Sequence, residues 1–338
     1  MLPTCRLAMW MWVSGILIAA LSAQGQNVSA VSIPAEHGQV WKRYDILPYV
    51  TKISNTSTPE RAIQDWILLE TGFDVWHSEI PAMLNVTPTT VNVYHTPEVQ
   101  AQVASVIQRF VNVPPLEHQF RVQIFSVPTP GWRAKMTARM VPISSASAGT
   151  QAWNVLPEDL RSVMDVFQKT TGFQSYQGDA KIVPNGQPMR IEFSRDRSYT
   201  RNFYIRPTSG KGPQPEDALF QDGFSFELMP LVAVDGIQVD AQIKMQINHL
   251  DRFYQTAVPV PGELSGYGSR RVEVPQIAQF RFRERYQWNT KGALLISLGL
   301  TPPPVSTGES ATTFTILNTT QRVETFLLIE YRRIPGGV

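Results

Sequence analysis

The chain has 338 residues, of which 43% are hydrophobic and 26 are prolines, and its formal net charge is +2. A chain of this kind forms one large or two modest globular domains with many loops. The near-neutral charge provides no basic stripe for nucleic acid, and a single cysteine, Cys5, excludes a disulfide framework.

Residues 1–23 have the pattern of a secretory signal peptide. Arg6 supplies the positive charge near the amino terminus, and Leu7–Leu21 is an apolar run of signal-peptide length. We expect export and cleavage after Ala23, with Gly25 as a rival site and an uncleaved anchor as the alternative. No later apolar run approaches about 18 residues, so no helix is expected to cross a membrane downstream.

Residues 36–112 are predicted to form a small α/β domain with the order βαββα. The strands are assigned from short apolar alternations, which is also what any small α/β sandwich would contain. They are predicted at Val40–Ile46, Phe73–Trp76 and Val91–His95.

The two helices of this domain open with the same signal. Thr58-Pro59-Glu60 and Thr96-Pro97-Glu98 each place an N-cap threonine before a proline and an acidic residue. Gly72 is a natural end for the first helix. The second carries an apolar stripe from Val99 to Val111 at helical spacing.

Pro114-Pro115 is the predicted linker to a β-rich domain at residues 117–334. Its first elements are assigned from apolar periodicity and from proline and glycine content. They are a strand at Gln119–Val127, a helix around Leu160–Phe167 ending near Gly172, strands at Met189–Ser194 and Asn202–Arg206, and a loop at Pro207–Asp222.

Gly223–Leu300 carries the clearest pattern in the chain, that of a β-meander of long amphipathic strands. From Ile237 to Asn248 apolar and polar residues alternate without a break, so this strand has one dry and one wet face. Asp235-Gly236 before it is a hairpin turn. The other strands are predicted at Phe224–Met229, Gln279–Trp288 and Ala293–Leu298, with a turn at Asn289–Gly292.

The length of these strands bears on the architecture. Twelve residues span roughly 40 Å at about 3.3 Å per residue, which is about twice the usual strand. Such strands are typical of a β-barrel wall formed on oligomerisation, and also of a large antiparallel sandwich. The predicted wall and oligomerisation residues are Ile237, Val239, Ile243, Met245, Ile247, Phe280 and Phe282.

A row of cations alternates with the apolar residues of the last long strand. Arg281, Arg283 and Arg285 share one face of that strand. The row is either a solvated face, a charged lumen lining, or a set of ion-pair partners for carboxylates of a neighbouring subunit.

Several short motifs follow one another in a characteristic order. They are Ala180–Gln187 ending in Asn-Gly-Gln, the Phe-x-Leu-x-Pro of Phe226–Pro230, Asp235-Gly236, an Arg-rich loop at Ser269–Val272, Ser297–Leu300, and Phe326–Ile334. In this order they resemble the secretin homology domain of outer-membrane secretins, the rings of type II and type III secretion and type IV pilus systems. Val91–Gln100 resembles the periplasmic N-domains that precede it.

The resemblance implies an α+β subunit of a homo-oligomeric ring that conducts or supports protein export. It also implies a place in the outer membrane or periplasm of a Gram-negative-type cell, and contact with other secretion-system components through the N-domain. One departure is Thr301–Ser310, which is polar and short where family members carry an amphipathic lip rich in Pro, Leu and Gly. The alternative is therefore a periplasmic scaffold or adaptor that keeps the secretin fold without forming a pore.

Patterns of catalysis and cofactor binding are absent from the sequence. The five histidines have no metal-ligand spacing, no Gly-x-Ser-x-Gly elbow occurs, and Ser209–Gly212 lacks the spacing of a P-loop. Asp235 and Asp240 fall on opposite faces, which disfavours a third class, a carbohydrate-active enzyme with paired carboxylates. We expect no enzyme activity, catalytic residue, metal or cofactor.

Overall fold

The computed structural model describes residues 36–128, 130–136, 139–204, 212–259, 268–304 and 322–334. Of the described residues, 52% lie in strands and 20% in helices, and the sheets are antiparallel. The predicted signal peptide at residues 1–23 lies outside these ranges. Within them, no helix combines the length and the apolar character that a membrane span requires.

The first part of the chain, residues 36–113, is called the N-terminal unit below. It has a three-stranded antiparallel sheet in the order β1-β3-β2, with helices packed on it. Its elements are β1 (Val40–Asp45), α1 (Leu47–Val50), α2 (Glu60–Thr71), a 3-10 helix (Asp74–Trp76), β2 (Met83–Val86), β3 (Thr90–His95) and α3 (Pro97–Val111). The predicted helix end at Gly72 is confirmed, since this residue follows α2 with φ of 80°.

One predicted strand of the N-terminal unit was wrong. Phe73–Trp76 is not extended, because the Trp76 amide bonds back to the Phe73 carbonyl at 3.2 Å and its indole to the Thr71 hydroxyl at 2.8 Å. These local bonds close a 3-10 turn instead of joining a ladder. The strand that pairs with β3 is β2.

Four very long strands form the second sheet. They are β9 (Met189–Tyr204), β10 (Gln214–Val232), β11 (Gln238–Pro259) and β12 (Ser269–Asn289), hydrogen-bonded in the order β12-β11-β10-β9. The predicted turns at Asp235-Gly236 and Asn289–Gly292 connect β10 to β11 and end β12. This four-stranded sheet is called the long sheet below.

Three predictions about the long sheet were wrong, all because polar segments were read as loops. The strand predicted at Met189–Ser194 and residues 202–204 of the one predicted at Asn202–Arg206 are parts of one strand, β9, and the rest of the second prediction lies outside the described residues. The loop predicted at Pro207–Asp222 contains the first half of β10, and the Arg-rich loop Ser269–Val272 is the start of β12. Charged side chains in these segments bond across strands, for example Arg201 with Glu216, which favours the extended form.

The third sheet lies under the long sheet. It has the order β5-β6-β13-β14-β4-β7, with β8 beside β4. Its strands are β4 (His118–Val127), β5 (Val141–Ile143), β6 (Gln151–Val155), β7 (Gln174–Gln177), β8 (Lys181–Ile182), β13 (Ala293–Thr301) and β14 (Val323–Arg333). The predicted meander therefore breaks after β12, because β13 crosses to this sheet and pairs with β6 and β14.

Two apolar layers hold these elements together. The dry face of the long sheet packs on one face of the third sheet through residues such as Phe226, Ile243 and Leu294. The other face of the third sheet packs on α5 (Pro157–Gln168), α4 (Arg133–Met136) and the 3-10 helix Pro130–Trp132 through residues such as Phe167 and Phe326. The long sheet thus has a covered inner face and a polar outer face.

Candidate assembly edges and charged outer face

The long sheet extends well beyond the layer that covers it. The shared core ends at Phe193, Phe224, Ile247 and Phe280, which lie side by side in the ladder. Past this row, residues 194–204, 214–223, 248–259 and 269–279 belong to none of the apolar cores of the described chain. This part, called the distal ribbon, adds about ten residues or roughly 33 Å to each strand.

The distal ribbon has two long edges. Among the described residues, β9 pairs only with β10 and β12 only with β11. The Thr200 amide on β9 donates to the Glu273 carboxylate on β12 at 3.2 Å, so the ribbon curls and brings its edges towards each other. The Thr200 N–H therefore points away from the β9–β10 ladder.

Cross-strand polar contacts set the register of the ribbon. Besides the Arg201–Glu216 pair, the Thr200 hydroxyl donates to Asp217 at 2.8 Å. The buried Asp222 carboxylate lies 3.8 Å from Arg197 and 3.5 Å from His249. These contacts explain why so polar a segment is extended.

The predicted wall residues lie mostly in the interior of a single chain. Val239, Ile243, Met245, Ile247 and Phe282 are buried between the long sheet and the third sheet, and Phe280 packs at the rim of that core. Ile237 precedes β11 and is 50% exposed. The third sheet accounts for the apolar character of the buried five, and their part in a barrel wall stays a prediction.

The three arginines of the predicted charge row have different surroundings. Arg285 bonds through Nε to the Asp240 carboxylate at 2.8 Å, and its Nη2 contacts Glu70 of α2 at 2.6 Å. Arg109 of α3 also contacts Asp240, at 3.3 Å. The hydrogen bond to Asp240 raises the pKa of Arg285 further above its usual range. The guanidinium groups of Arg109 and Arg285 both lie over the Trp66 ring, at 5.8 Å and 5.6 Å from its centroid.

Arg281 and Arg283 have no ion pair or hydrogen bond among the described residues. They are exposed and line an open cavity of about 340 Å³ on the outer face. Across the same face, Glu227 accepts from Arg190 at 2.8 Å and from Lys244 at 2.6 Å. Burial works to raise the pKa of Glu227, but these two hydrogen bonds together with the positive charges of Lys244 and Arg190 outweigh it and hold the pKa below its usual value.

A buried turn joins the N-terminal unit to the sheets. Asn185 bonds through its side chain to the Val232 amide at 2.7 Å and the Arg109 carbonyl at 2.9 Å. Its carbonyl accepts from the Tyr49 hydroxyl at 2.8 Å, and Gln187 donates to that hydroxyl at 2.8 Å. In the sequence, this Asn-Gly-Gln segment stands out only through its resemblance to a secretin motif. No local pattern in the sequence predicts its contacts with distant parts of the chain.

The predicted linker at Pro114-Pro115 packs against the same buried turn, and the contact region between the N-terminal unit and the sheets is called the joint below. Val113 and Pro115 are buried, and the Pro115 carbonyl accepts from the Asn185 amide at 2.9 Å. The core of the N-terminal unit also takes in Met229 and Leu231 from β10. The N-terminal unit is therefore fixed against the outer face near the hairpin end of the long sheet.

Two buried carboxylates were also not anticipated from the sequence. Glu324 on β14 accepts from Arg133 at 2.6 and 3.0 Å, from the Trp132 indole at 2.9 Å and from Ser297 at 2.7 Å. Glu284 on β12 accepts from the Ser145 and Tyr286 hydroxyls. Both tie a connecting segment to a strand. No set of three or more potential metal ligands occurs in the described parts of the chain.

Comparisons with known proteins give weak likenesses. No family model matches the chain, and no curated protein matches it. Among solved structures it is similar to the Salmonella type III secretion injectisome secretin InvG, at 10% identity and a TM-score of 0.29, over 88% of this chain and 84% of that chain.

Two further solved structures are similar at the same level. The type II secretin GspD from enteropathogenic Escherichia coli has 8% identity and a TM-score of 0.24, over 88% of this chain and 89% of that chain. ExeD of Aeromonas hydrophila has 8% identity and a TM-score of 0.25, over 87% and 60%. At such TM-scores the chains do not superpose as whole structures.

Proposed function

We propose that the protein is a ring-forming subunit of a secretin-like channel for protein export, acting without catalysis. The observation that carries this proposal is the distal ribbon, whose two long edges have no partner strand among the described residues. A free strand edge exposes backbone N–H and C=O groups that favour pairing with another strand.

The directions of the strands suit a closed ring. Successive strands of the long sheet are antiparallel, so β9 and β12 run in opposite directions. Pairing β12 of one subunit with β9 of the next gives a continuous antiparallel wall. Contacts of this head-to-tail kind form rings when the rotation between subunits closes.

The ribbon also has the length of a membrane-crossing strand, which needs about 9–11 residues. Leu219, Tyr254, Val274 and Ile277 are large apolar or aromatic residues exposed on it. We propose that only the assembled wall associates with the outer membrane, because an isolated ribbon would leave both edges unpaired in lipid.

The other parts of the chain have supporting roles in this proposal. Residues 1–23 direct export. Residues 36–112 act as a periplasmic N-domain that contacts other secretion components, and residues 117–334 form the secretin-like wall. In that wall the buried residues such as Ile243 and Phe282 pack one layer on the other.

One observation favours a second candidate, a periplasmic scaffold that does not form a pore. The Thr200–Glu273 contact draws the two ribbon edges together within one chain. A chain that keeps this closed form would have no free edges for a neighbour.

A backbone substitution at the ribbon edge distinguishes the two candidates. Thr200→Pro removes an N–H that points away from β10, so the β9–β10 ladder keeps its bonds. The substitution blocks the edge and also removes the Thr200–Glu273 contact of the closed form, so a monomeric variant could not be attributed to that closed form. We expect the wild type and the control Thr200→Ala to elute from detergent extracts as large assemblies, and Thr200→Pro as a folded monomer. Equal assembly of all three would contradict edge pairing, and three monomers would favour the scaffold.

A further inference from the structure

The outer face of the long sheet carries a cationic groove that the ring proposal does not use. It lies between the part of the face covered by the N-terminal unit and the distal ribbon. The charged residues that line it are Arg190, Glu192, Glu227, Lys244, Arg281 and Arg283. The cavity holds about 340 Å³ and opens to solvent.

The charges of this groove are unbalanced. Glu227 is already engaged by Arg190 and Lys244 at 2.8 and 2.6 Å. Arg281 and Arg283 are left without a carboxylate among the described residues, and both are exposed. Because they stand two residues apart on β12, their side chains project from the same face about 6.7 Å apart.

The neighbouring arginine indicates which kind of group completes the row. Arg285 stands two residues further on the same face, and there its guanidinium binds two carboxylates, Asp240 of the sheet and Glu70 of α2. Planar guanidinium groups match carboxylates with paired hydrogen bonds. The carboxylate of Glu70 on α2 therefore forms an ion pair with Arg285, and no described residue forms such a pair with Arg281 or Arg283.

We propose that this groove binds an extended acidic peptide segment of a partner protein, with Asp or Glu at alternate positions. In a strand, residues i and i+2 share a face and are spaced like Arg281 and Arg283. Glu192 and Glu227 interrupt the positive field, which disfavours a uniform polyanion such as nucleic acid or a phosphate-rich surface. The proposal does not depend on ring formation.

The test uses the full chain and three labelled octapeptides of threonine that each carry two variable residues. The first has Glu at i and i+2, the second Glu at i and i+1, and the third Gln at i and i+2. Fluorescence anisotropy at low salt is expected to give the tightest binding for the first peptide. Binding should weaken in about 0.5 M salt, where screening is strong.

Matched variants locate the site. Arg281→Gln/Arg283→Gln is expected to weaken binding of the first peptide by roughly three-fold or more, the range for two exposed ion pairs. The control Arg161→Gln removes an exposed cation of α5 and should leave binding unchanged. Circular dichroism checks that all variants fold.

Five results would overturn the proposal, the first four of them from the binding assay. Those four are the absence of binding, equal binding of the first two peptides, binding that survives the double substitution, and tighter binding of inorganic polyphosphate through the same two arginines. Particles in which the groove is covered by a second copy of the chain would also overturn it.

Discussion

The joint between the N-terminal unit and the sheets depends on Gly186, and Gly186→Ala is expected to destabilise the chain by about 2–5 kcal/mol. Gly186 has φ of 79°, a left-handed conformation that costs other residues about 1–2 kcal/mol. A Cβ there would also lie 2.1 Å from the Phe110 ring, and overpacking of a core adds about 1–3 kcal/mol. Replacement with alanine thus meets two penalties at a buried position.

Urea unfolding followed by circular dichroism measures the loss against a matched glycine. Gly236 has φ of 69° and no atom within 4 Å of a built Cβ, so Gly236→Ala should cost only the conformational part, about 1–2 kcal/mol. Phe110→Leu in the Gly186→Ala background should recover part of the loss, giving a coupling of about 1 kcal/mol or more. Equal costs at the two glycines with no coupling to Phe110 would refute the reasoning.

Three further predictions concern the core, acid stability and membrane association. Ile243→Asp should unfold the chain rather than only block assembly, because an isolated charge would be buried at a fully covered site at a cost of several kcal/mol; a cooperative wild-type-like transition would contradict this. Burial lowers the pKa of His118 to about 4 from an ordinary 6.5. The unfolded chain therefore binds a proton at higher pH than the folded chain does, and the free energy of unfolding should fall by up to about 3 kcal/mol as the pH drops from 6.5 to 4. Urea unfolding of the wild type and His118→Gln at several pH values in this range tests it. The prediction is contradicted if the free energy of unfolding of both proteins falls equally with pH. In a carbonate wash the wild type should stay with the membrane pellet and Thr200→Pro should be released; release of both would favour the scaffold, and retention of both an uncleaved amino-terminal anchor.

Local patterns in the sequence predicted the covered part of the long sheet. The unbroken alternation from Ile237 to Asn248 gives a strand with one dry face, and Val239, Ile243 and Ile247 do lie on the covered side. The helix opened by Thr96-Pro97 and the turn at Asp235-Gly236 also follow from local chemistry.

The distal ribbon could not be predicted in the same way. Segments such as residues 195–201 contain few apolar residues, and what keeps them extended is a partner on another strand, as Glu216 is for Arg201. Hydrophobic periodicity carries no information about such partners. The strands therefore extend beyond the residues in which apolar and polar side chains alternate.

Whether a polar residue of the long sheet is buried or exposed depends on packing between segments that are distant in the sequence. Asp240 and Lys244 share the wet face of β11, yet Asp240 is buried beneath Arg109 and Arg285 while Lys244 lines the open groove. The difference arises because the N-terminal unit covers one end of that face. Nothing in the local sequence of β11 distinguishes the two positions.

Negative-stain imaging of the detergent-extracted wild-type protein tests the central claim most directly. Edge pairing between β9 and β12 of neighbouring chains predicts closed rings of many copies with a continuous wall, which should be lost in Thr200→Pro and kept in Thr200→Ala. A uniform field of single chains in the wild-type extract would contradict the account.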